Sequence, residues 1–213
     1  MRTLDPRSLG LYVITSSSFV PGRGHRDVVL AAIEGGATAV QLRAPELSDT
    51  DLLPLAEELA DRCGEAGVLF VVNDRVEVAV ASGAAGAHTG QDDRPSIARE
   101  MLGGDRVLGM SVSTPQEAQA AEVAGADYLG VTVWATPTKP DAIPRGIEGV
   151  RAVVASTRLP VVGVGGINTA NAREVLAAGA AGVAVVAAIG AAPDMVAATR
   201  RLAEIVGTER RET

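Results

Sequence analysis

Asp74 and Asp93 are the residues of this chain best suited to chemistry with a hard cation, because two carboxylates at the ends of neighbouring strands can share one Mg2+ with waters and a diphosphate. The same residues also suit the caps of the helices that follow them, since aspartate readily accepts from the free N–H groups of a first helical turn. Gly165 and Gly166, in the run GVGGI with a helix opening at Asn168 to Asn171, can turn backbone N–H groups toward a phosphate, or simply serve a tight turn. Arg43 offers a planar donor pair to a phosphate or to a neighbouring carboxylate. Lys139 is the only lysine among 19 basic residues. A Schiff-base role would want its amine desolvated on a strand, whereas a charge clamp on a diphosphate needs only a fixed cation. Its loop position between Thr138 and Pro140 favours the clamp, with a solvated surface lysine as the plain alternative. His88 is expected to satisfy a core hydrogen bond, and His25 and Cys63 receive no chemical role.

Side chains so scattered along a chain meet only if the fold gathers them. Eight short apolar runs read as strands: 11–15, 38–42, 68–72, 85–88, 106–111, 127–133, 160–165 and 182–186. They are continuous rather than alternating, as strands of a parallel sheet buried on both faces must be. Ala-rich helical patterns separate them. Ser48 or Asp49 can cap the second, and Thr114 with Glu117 forms a capping box around Pro115. A helix end followed by Gly-Ala and a strand recurs at GGATAVQL, SGAAGAH, AGADYLGV and AGAAGVAVV. Eight β–α units in this length predict an α/β fold of the (βα)8 TIM barrel type, one domain over 1–207 with a frayed polar tail over 208–213. A dinucleotide-binding fold would need a glycine fingerprint after the first strand, and none is there. In such a barrel the loops after the strands build the site. Gln41 ends the second strand and Arg43 follows it, Asn73 and Asp74 follow the third, and His88 and Gln91 to Asp93 the fourth. Ser111 and Ser113 follow the fifth, Thr136, Thr138 and Lys139 the sixth, and Gly165 and Gly166 the seventh.

Composition removes other classes. Among 213 residues, 47% are apolar and 21% charged, so the body of the chain can bury a core. Aromatic residues at 2% are too few to stack along single-stranded nucleic acid, and a net charge of −7 repels nucleic acid and anionic membrane alike. Any phosphate must be met by a few placed groups. One cysteine excludes an internal disulfide framework, and the N-terminal residues contain no apolar segment of signal-peptide length. The expectation is a cytoplasmic protein with small-molecule partners, no nucleic acid and no membrane, and room for a homo-oligomer.

QLR at 41–43, NDRVEVA at 73–79, GAHTGQDD at 86–93, GMS at 109–111, GADYLGV at 125–131, TPTK at 136–139 and GVGGI at 163–167 come in one order over nearly the whole chain. Together they resemble the thiamine phosphate synthase family and its thiazole tautomerase relatives. The resemblance implies a Mg2+-assisted transferase that joins hydroxymethylpyrimidine diphosphate to thiazole phosphate and releases pyrophosphate. It implies Asp74 and Asp93 as metal ligands, and Gln41, Arg43, Asn73, Ser111 and Lys139 on the pyrimidine or its diphosphate, with Arg43, Ser111 and Lys139 closest to catalysis. Thr136, Thr138, Gly165 and Gly166 would hold the thiazole phosphate. Four positions, in three places, depart from the family pattern. Ala44 and Pro45 stand where an acidic residue and a lysine usually follow QLR, Ser113 where a histidine is common, and Ala187 where many members place a serine. The retained GQDD and the missing histidine favour the synthase over the tautomerase; a barrel with another small phosphorylated substrate and a Schiff-base lyase are the remaining alternatives.

Overall fold

A computed structural model describes residues 4–17, 19–90, 95–136 and 142–212. Eight strands among them, β1 (Leu11–Ile14), β2 (Ala39–Leu42), β3 (Leu69–Asn73), β4 (Gly86–Thr89), β5 (Val107–Val112), β6 (Tyr128–Thr132), β7 (Val161–Val164) and β8 (Gly182–Val185), pair in parallel in chain order. β8 returns to β1 with Tyr12 opposite Ala184, so the sheet closes into a barrel. Helices α1 (His25–Glu34), α2 (Asp49–Glu65), α3 (Val76–Ala81), α4 (Pro95–Leu102), α5 (Pro115–Val123), α6 (Gly146–Val154) and α7 (Ala172–Ala177) connect successive strands. A four-residue α8 (Ala187–Gly190) and a long α9 (Met195–Glu212) follow β8. The (βα)8 TIM barrel expected from the strand pattern is the observed fold, and each strand lies within two residues of its expected span.

Local sequence explains the joints. Ser48 Oγ accepts the N–H of Asp51 at the start of α2, and Thr114 Oγ1 accepts that of Glu117 at the start of α5. Glu117 reaches back one residue further than a capping box requires, to the N–H of Ser113. The repeated helix-end glycines, Gly36, Gly83, Gly125 and Gly179, all have positive φ (74–94°), the left-handed C′ position that lets the chain leave the helix and enter the next strand.

Two apolar layers result from the pleat. Leu11, Val13, Val40, Phe70 and Val72 point outward into the layer shared with the helices. Their neighbours Tyr12, Ala39, Val71, Val107, Tyr128, Val162 and Ala184 point inward and fill the barrel.

The structure corrects two expectations. The tail is not frayed from residue 208, because α9 continues to Glu212 and Arg173 pairs with Glu209. The residues after β8 form α8 rather than an open loop. Among the described residues no helix is long and apolar enough to cross a membrane.

Candidate active site

Following the pleat upward from the barrel core, the inward positions at the C-terminal ends of the strands change from apolar to polar. They line a cavity of about 460 Å3. Gln41, Asn73, His88, Ser111, Tyr128 and Thr132 reach it from five neighbouring strands and Tyr12 from a sixth, all at positions with the same pleat parity as the core below.

The floor is a continuous hydrogen-bonded chain. Gln41 Nε2 donates to the Tyr12 hydroxyl at 3.0 Å, and the hydroxyls of Tyr12 and Tyr128 share a hydrogen bond at 2.8 Å. His88 Nδ1 lies 3.0 Å from the Tyr128 hydroxyl, and His88 Nε2 lies 3.1 Å from Ser111 Oγ. Burial pushes both phenols upward from their ordinary pKa, and for Tyr128 the adjacent Tyr12 adds to the rise. Both remain neutral hydroxyls at any working pH, so the floor is polar and uncharged. Such a surface can read the edge of a planar heterocycle. Glycines make room for it: a Cβ on Gly109 would overlap the Tyr128 ring, and one on Gly130 would press on His88 at 3.2 Å.

Charge sits at the rim. The Arg43 side chain lines the cavity and makes no hydrogen bond or ion pair with the described residues. On the adjacent strand, Asn73 Nδ2 donates to Asp74 Oδ2 at 2.5 Å. Asp74 has a φ of 61°, the one positive value at a non-glycine residue among those described. Its N–H donates to the carbonyl of His88 at 2.8 Å, which anchors this conformation to β4. Aspartate tolerates the left-handed region better than most residues, and a conformation of this kind held by its surroundings marks functional positions. The helix-cap alternative for Asp74 fails, because α3 begins with Arg75 at its N-cap and no side-chain cap. Asp93 lies three residues beyond the cavity-lining Gly90, outside the described residues, as do Thr138 and Lys139 beyond the cavity-lining Thr136.

On the third side, Gly165 and Gly166 have φ values of 91° and 67°. A Cβ on Gly165 would lie 2.7 Å from the carbonyl oxygen of Trp134, so both conformation and space require glycine. The expectation that the helix start at 168–171 presents free N–H groups needs correction. Asn171 Oδ1 accepts the N–H of Asn168, Asn168 Oδ1 accepts that of Ala170, and α7 begins only at Ala172. The wall facing the cavity is the glycine pair with Ile167 and Asn168, together with Val186 to Ala188 at the start of α8. Ala187 offers a methyl group and main chain there, and Ser113 is absent from the cavity lining.

The structure therefore brings together Gln41, Arg43, Asn73, Asp74, Ser111, Thr136, Gly165 and Gly166 around one cavity. Sequence reasoning missed three of its members. Tyr12 and Tyr128 read as core residues inside apolar runs, and His88 as a core hydrogen-bonding group, which it is while also facing the cavity. Pleat parity with Gln41 and Ser111 was the available signal.

Fold and site define a (βα)8-barrel enzyme with a neutral polar floor between a charged rim and a glycine-rich wall. A family model described as thiamine monophosphate synthase matches residues 11–189. The chain is 47% identical to the thiamine-phosphate synthase of Moorella thermoacetica over 199 residues, covering 92% of this chain and 95% of that one. It is likewise 47% identical to the thiamine-phosphate synthase of Chloroflexus aurantiacus over 198 residues, covering 92% of each. A solved structure of thiamine phosphate pyrophosphorylase from Pyrococcus furiosus superimposes with a TM-score of 0.86 at 40% identity, over 96% of this chain and 98% of that one. The chain belongs to the thiamine monophosphate synthase family.

Proposed function

We propose that this chain transfers a hydroxymethylpyrimidine group from its diphosphate to the ring nitrogen of a thiazole phosphate. The bond between the pyrimidine methylene carbon and the diphosphate oxygen breaks with its electron pair leaving on pyrophosphate. The thiazole nitrogen then donates its lone pair to that carbon, giving a thiazolium phosphate. The observation that carries this reading is a single cavity with an uncharged hydrogen-bonding floor, Gln41, Tyr12, Tyr128, His88 and Ser111, set between Arg43 with Asp74 on one side and Gly165 with Gly166 on another.

Departure of a diphosphate from a heteroaryl methylene needs no protein nucleophile, because the ring delocalises the developing cation. The protein's task is to orient the ring, neutralise the leaving group and keep the acceptor close. Gln41 and Ser111 orient the pyrimidine through its polar edge, with Tyr12 fixing Gln41 and His88 fixing Ser111. Arg43, Asn73 and Lys139 hold the diphosphate. Thr136, Thr138, Gly165 and Gly166 receive the thiazole phosphate, whose tether brings the nitrogen within reach. Asp74, with its carboxylate side chain beside the cavity, and Asp93 beyond Gly90 suit a hard oxygen-ligated cation, and would hold Mg2+, which supplies positive charge to the leaving diphosphate.

Titration of each substrate into the protein separately tests the arrangement. The pyrimidine diphosphate is expected to bind only with Mg2+ and to bind about tenfold or more weakly in Arg43→Ala, the usual scale for one lost charge-assisted contact. Thiazole phosphate should bind without Mg2+ and weaken in Gly165→Ala. A protein that binds thiazole phosphate and ignores the pyrimidine diphosphate would contradict the transferase and favour the tautomerase.

A further inference from the structure

Thr15, His25 and Glu46 form a second polar cluster beside the cavity, and none of the three lines it. Thr15 follows β1 and is fully buried, His25 opens α1 and is 6% exposed, and Glu46 lies in the loop after β2. Thr15 Oγ1 accepts the backbone N–H of Arg43 at 3.0 Å and meets His25 Nδ1 at 2.8 Å. His25 Nε2 lies 2.8 Å from Glu46 Oε1, which also accepts from Ser17 Oγ. The ring thus spans the segment 43–46, with the main chain of Arg43 held at one end and the side chain of Glu46 at the other.

Between these two ends the chain turns tightly. The N–H of Leu47 donates to the carbonyl of Ala44 at 3.2 Å, and Pro45 occupies the second position of that turn, where its fixed φ fits. Arg43 itself has a long side chain with no partner among the described residues. Only its backbone can aim it, and that backbone is tied down through Thr15. Glu46 raises a second problem, since a carboxylate three residues from a phosphate-facing arginine would compete for the guanidinium. His25 and Ser17 occupy it. Burial works against the Glu46 charge, but the hydrogen bonds from Ser17 and His25 outweigh it and hold the carboxyl at about 2. An ionised Glu46 needs the proton on Nε2, and Thr15, already an acceptor from Arg43, has its own proton to give to Nδ1. With Nε2 donating to Glu46, every atom of the bridge has a partner.

We infer that His25 is a positioning residue for Arg43: by bridging Thr15 to Glu46 it fixes the 43–46 turn and keeps Glu46 off the guanidinium, so that Arg43 stays aimed at the diphosphate. This rests on the reading of Arg43 as a diphosphate contact. The histidine acts through another residue, outside the cavity, and its loss should affect one substrate and not the other.

The test measures inhibition by inorganic pyrophosphate and the KM of each substrate in the Mg2+-supplied enzyme. His25→Ala and Thr15→Val should raise the pyrophosphate inhibition constant and the KM for the pyrimidine diphosphate by roughly ten- to a hundred-fold, the scale of a misplaced contact. The KM for thiazole phosphate should not change, and Thr15→Ser should behave as the wild type. Glu46→Gln changes a half-exposed side chain without endangering the fold, and should act in the same direction. In an Arg43→Ala background, His25→Ala should add less than twofold, because the group it positions is gone. The inference is overturned if His25→Ala and Glu46→Gln leave pyrophosphate inhibition unchanged while Arg43→Ala weakens it, or if the two effects multiply in the double variant. If Arg43→Ala alone leaves pyrophosphate inhibition unchanged, the diphosphate reading of Arg43 falls and this inference with it.

Discussion

Substitution of Gly109 by alanine should damage the site from inside the barrel. An ideal Cβ there would stand 2.1 Å from Tyr128 Cζ and 2.4 Å from its hydroxyl oxygen. Ordinary carbon contacts begin near about 3.5 Å, so the ring must retreat by more than about 1 Å. It has nowhere to go: Tyr128 is fully buried, with Tyr12 at 6.0 Å and His88 at 5.4 Å between ring centroids. Overpacking of this kind costs about 1–3 kcal/mol, and hydrogen bonds stretched at the Tyr128 hydroxyl add about 0.5–1.5 kcal/mol each. Over the two hydrogen bonds of that hydroxyl the sum is about 2–6 kcal/mol, which corresponds to a fall in Tm of roughly 4–24 °C for a chain of this size. Gly83→Ala is the control. Gly83 has a φ of +74° but nothing within 4 Å of the added carbon, so it meets backbone strain of about 1–2 kcal/mol and no collision. Thermal unfolding followed by circular dichroism, with KM for the pyrimidine diphosphate, separates the two. Gly109→Ala should lose stability and raise that KM, Gly83→Ala should lose only a little stability, and Tyr128→Leu should relieve part of the Gly109→Ala defect. A Gly109→Ala protein with unaltered Tm and KM would refute the packing account of the cavity floor.

Asp74→Asn keeps a residue that tolerates the left-handed backbone while removing the charge, so the fold should persist; turnover should fall by about ten- to a hundred-fold and need more Mg2+, as a plot of rate against Mg2+ would show. Pro45→Lys removes a residue suited to the turn, at about 1 kcal/mol or less of stability, and adds a cation beside Arg43; it should lower the KM for the pyrimidine diphosphate by about tenfold, and an unchanged KM would mean that the rim is complete without it. Glu46 has a depressed folded pKa, so its stabilising effect is full above its unfolded value of 4.5 and fades as the pH falls toward about 2. Denaturant titrations of the wild type and Glu46→Gln should therefore differ at neutral pH and converge in acid.

The strands were legible because both of their faces are buried, which leaves unbroken apolar runs such as 38–42 and 182–186 between glycine-marked helix ends. Gln41, Arg43, Asn73, Asp74 and Ser111 were legible because the fold places residues at and after strand ends around the site. Tyr12, Tyr128 and His88 were not, since an inward tyrosine in an apolar strand looks the same whether its hydroxyl meets core or cavity. The space they occupy is set by Gly109 and Gly130 on neighbouring strands, a long-range relation that no local pattern carries. The short α8 has the composition AAIG and no cap, so nothing distinguished it from a loop. The polar end of α9 read as a frayed tail because its anchor, the pairing of Arg173 with Glu209, joins two distant helices. His25 looked incidental for the same reason: its partners lie on two other loops.

Incubation of the purified protein with hydroxymethylpyrimidine diphosphate, thiazole phosphate and Mg2+, with pyrophosphate and thiamine phosphate measured together over time, reads the proposed transfer itself. Both products should appear in equal amounts, omission of either substrate should abolish thiamine phosphate, and chelation of Mg2+ should stop the reaction. Absence of thiamine phosphate from a folded protein that binds both substrates would contradict the proposed transfer, as would its formation at an undiminished rate in Arg43→Ala.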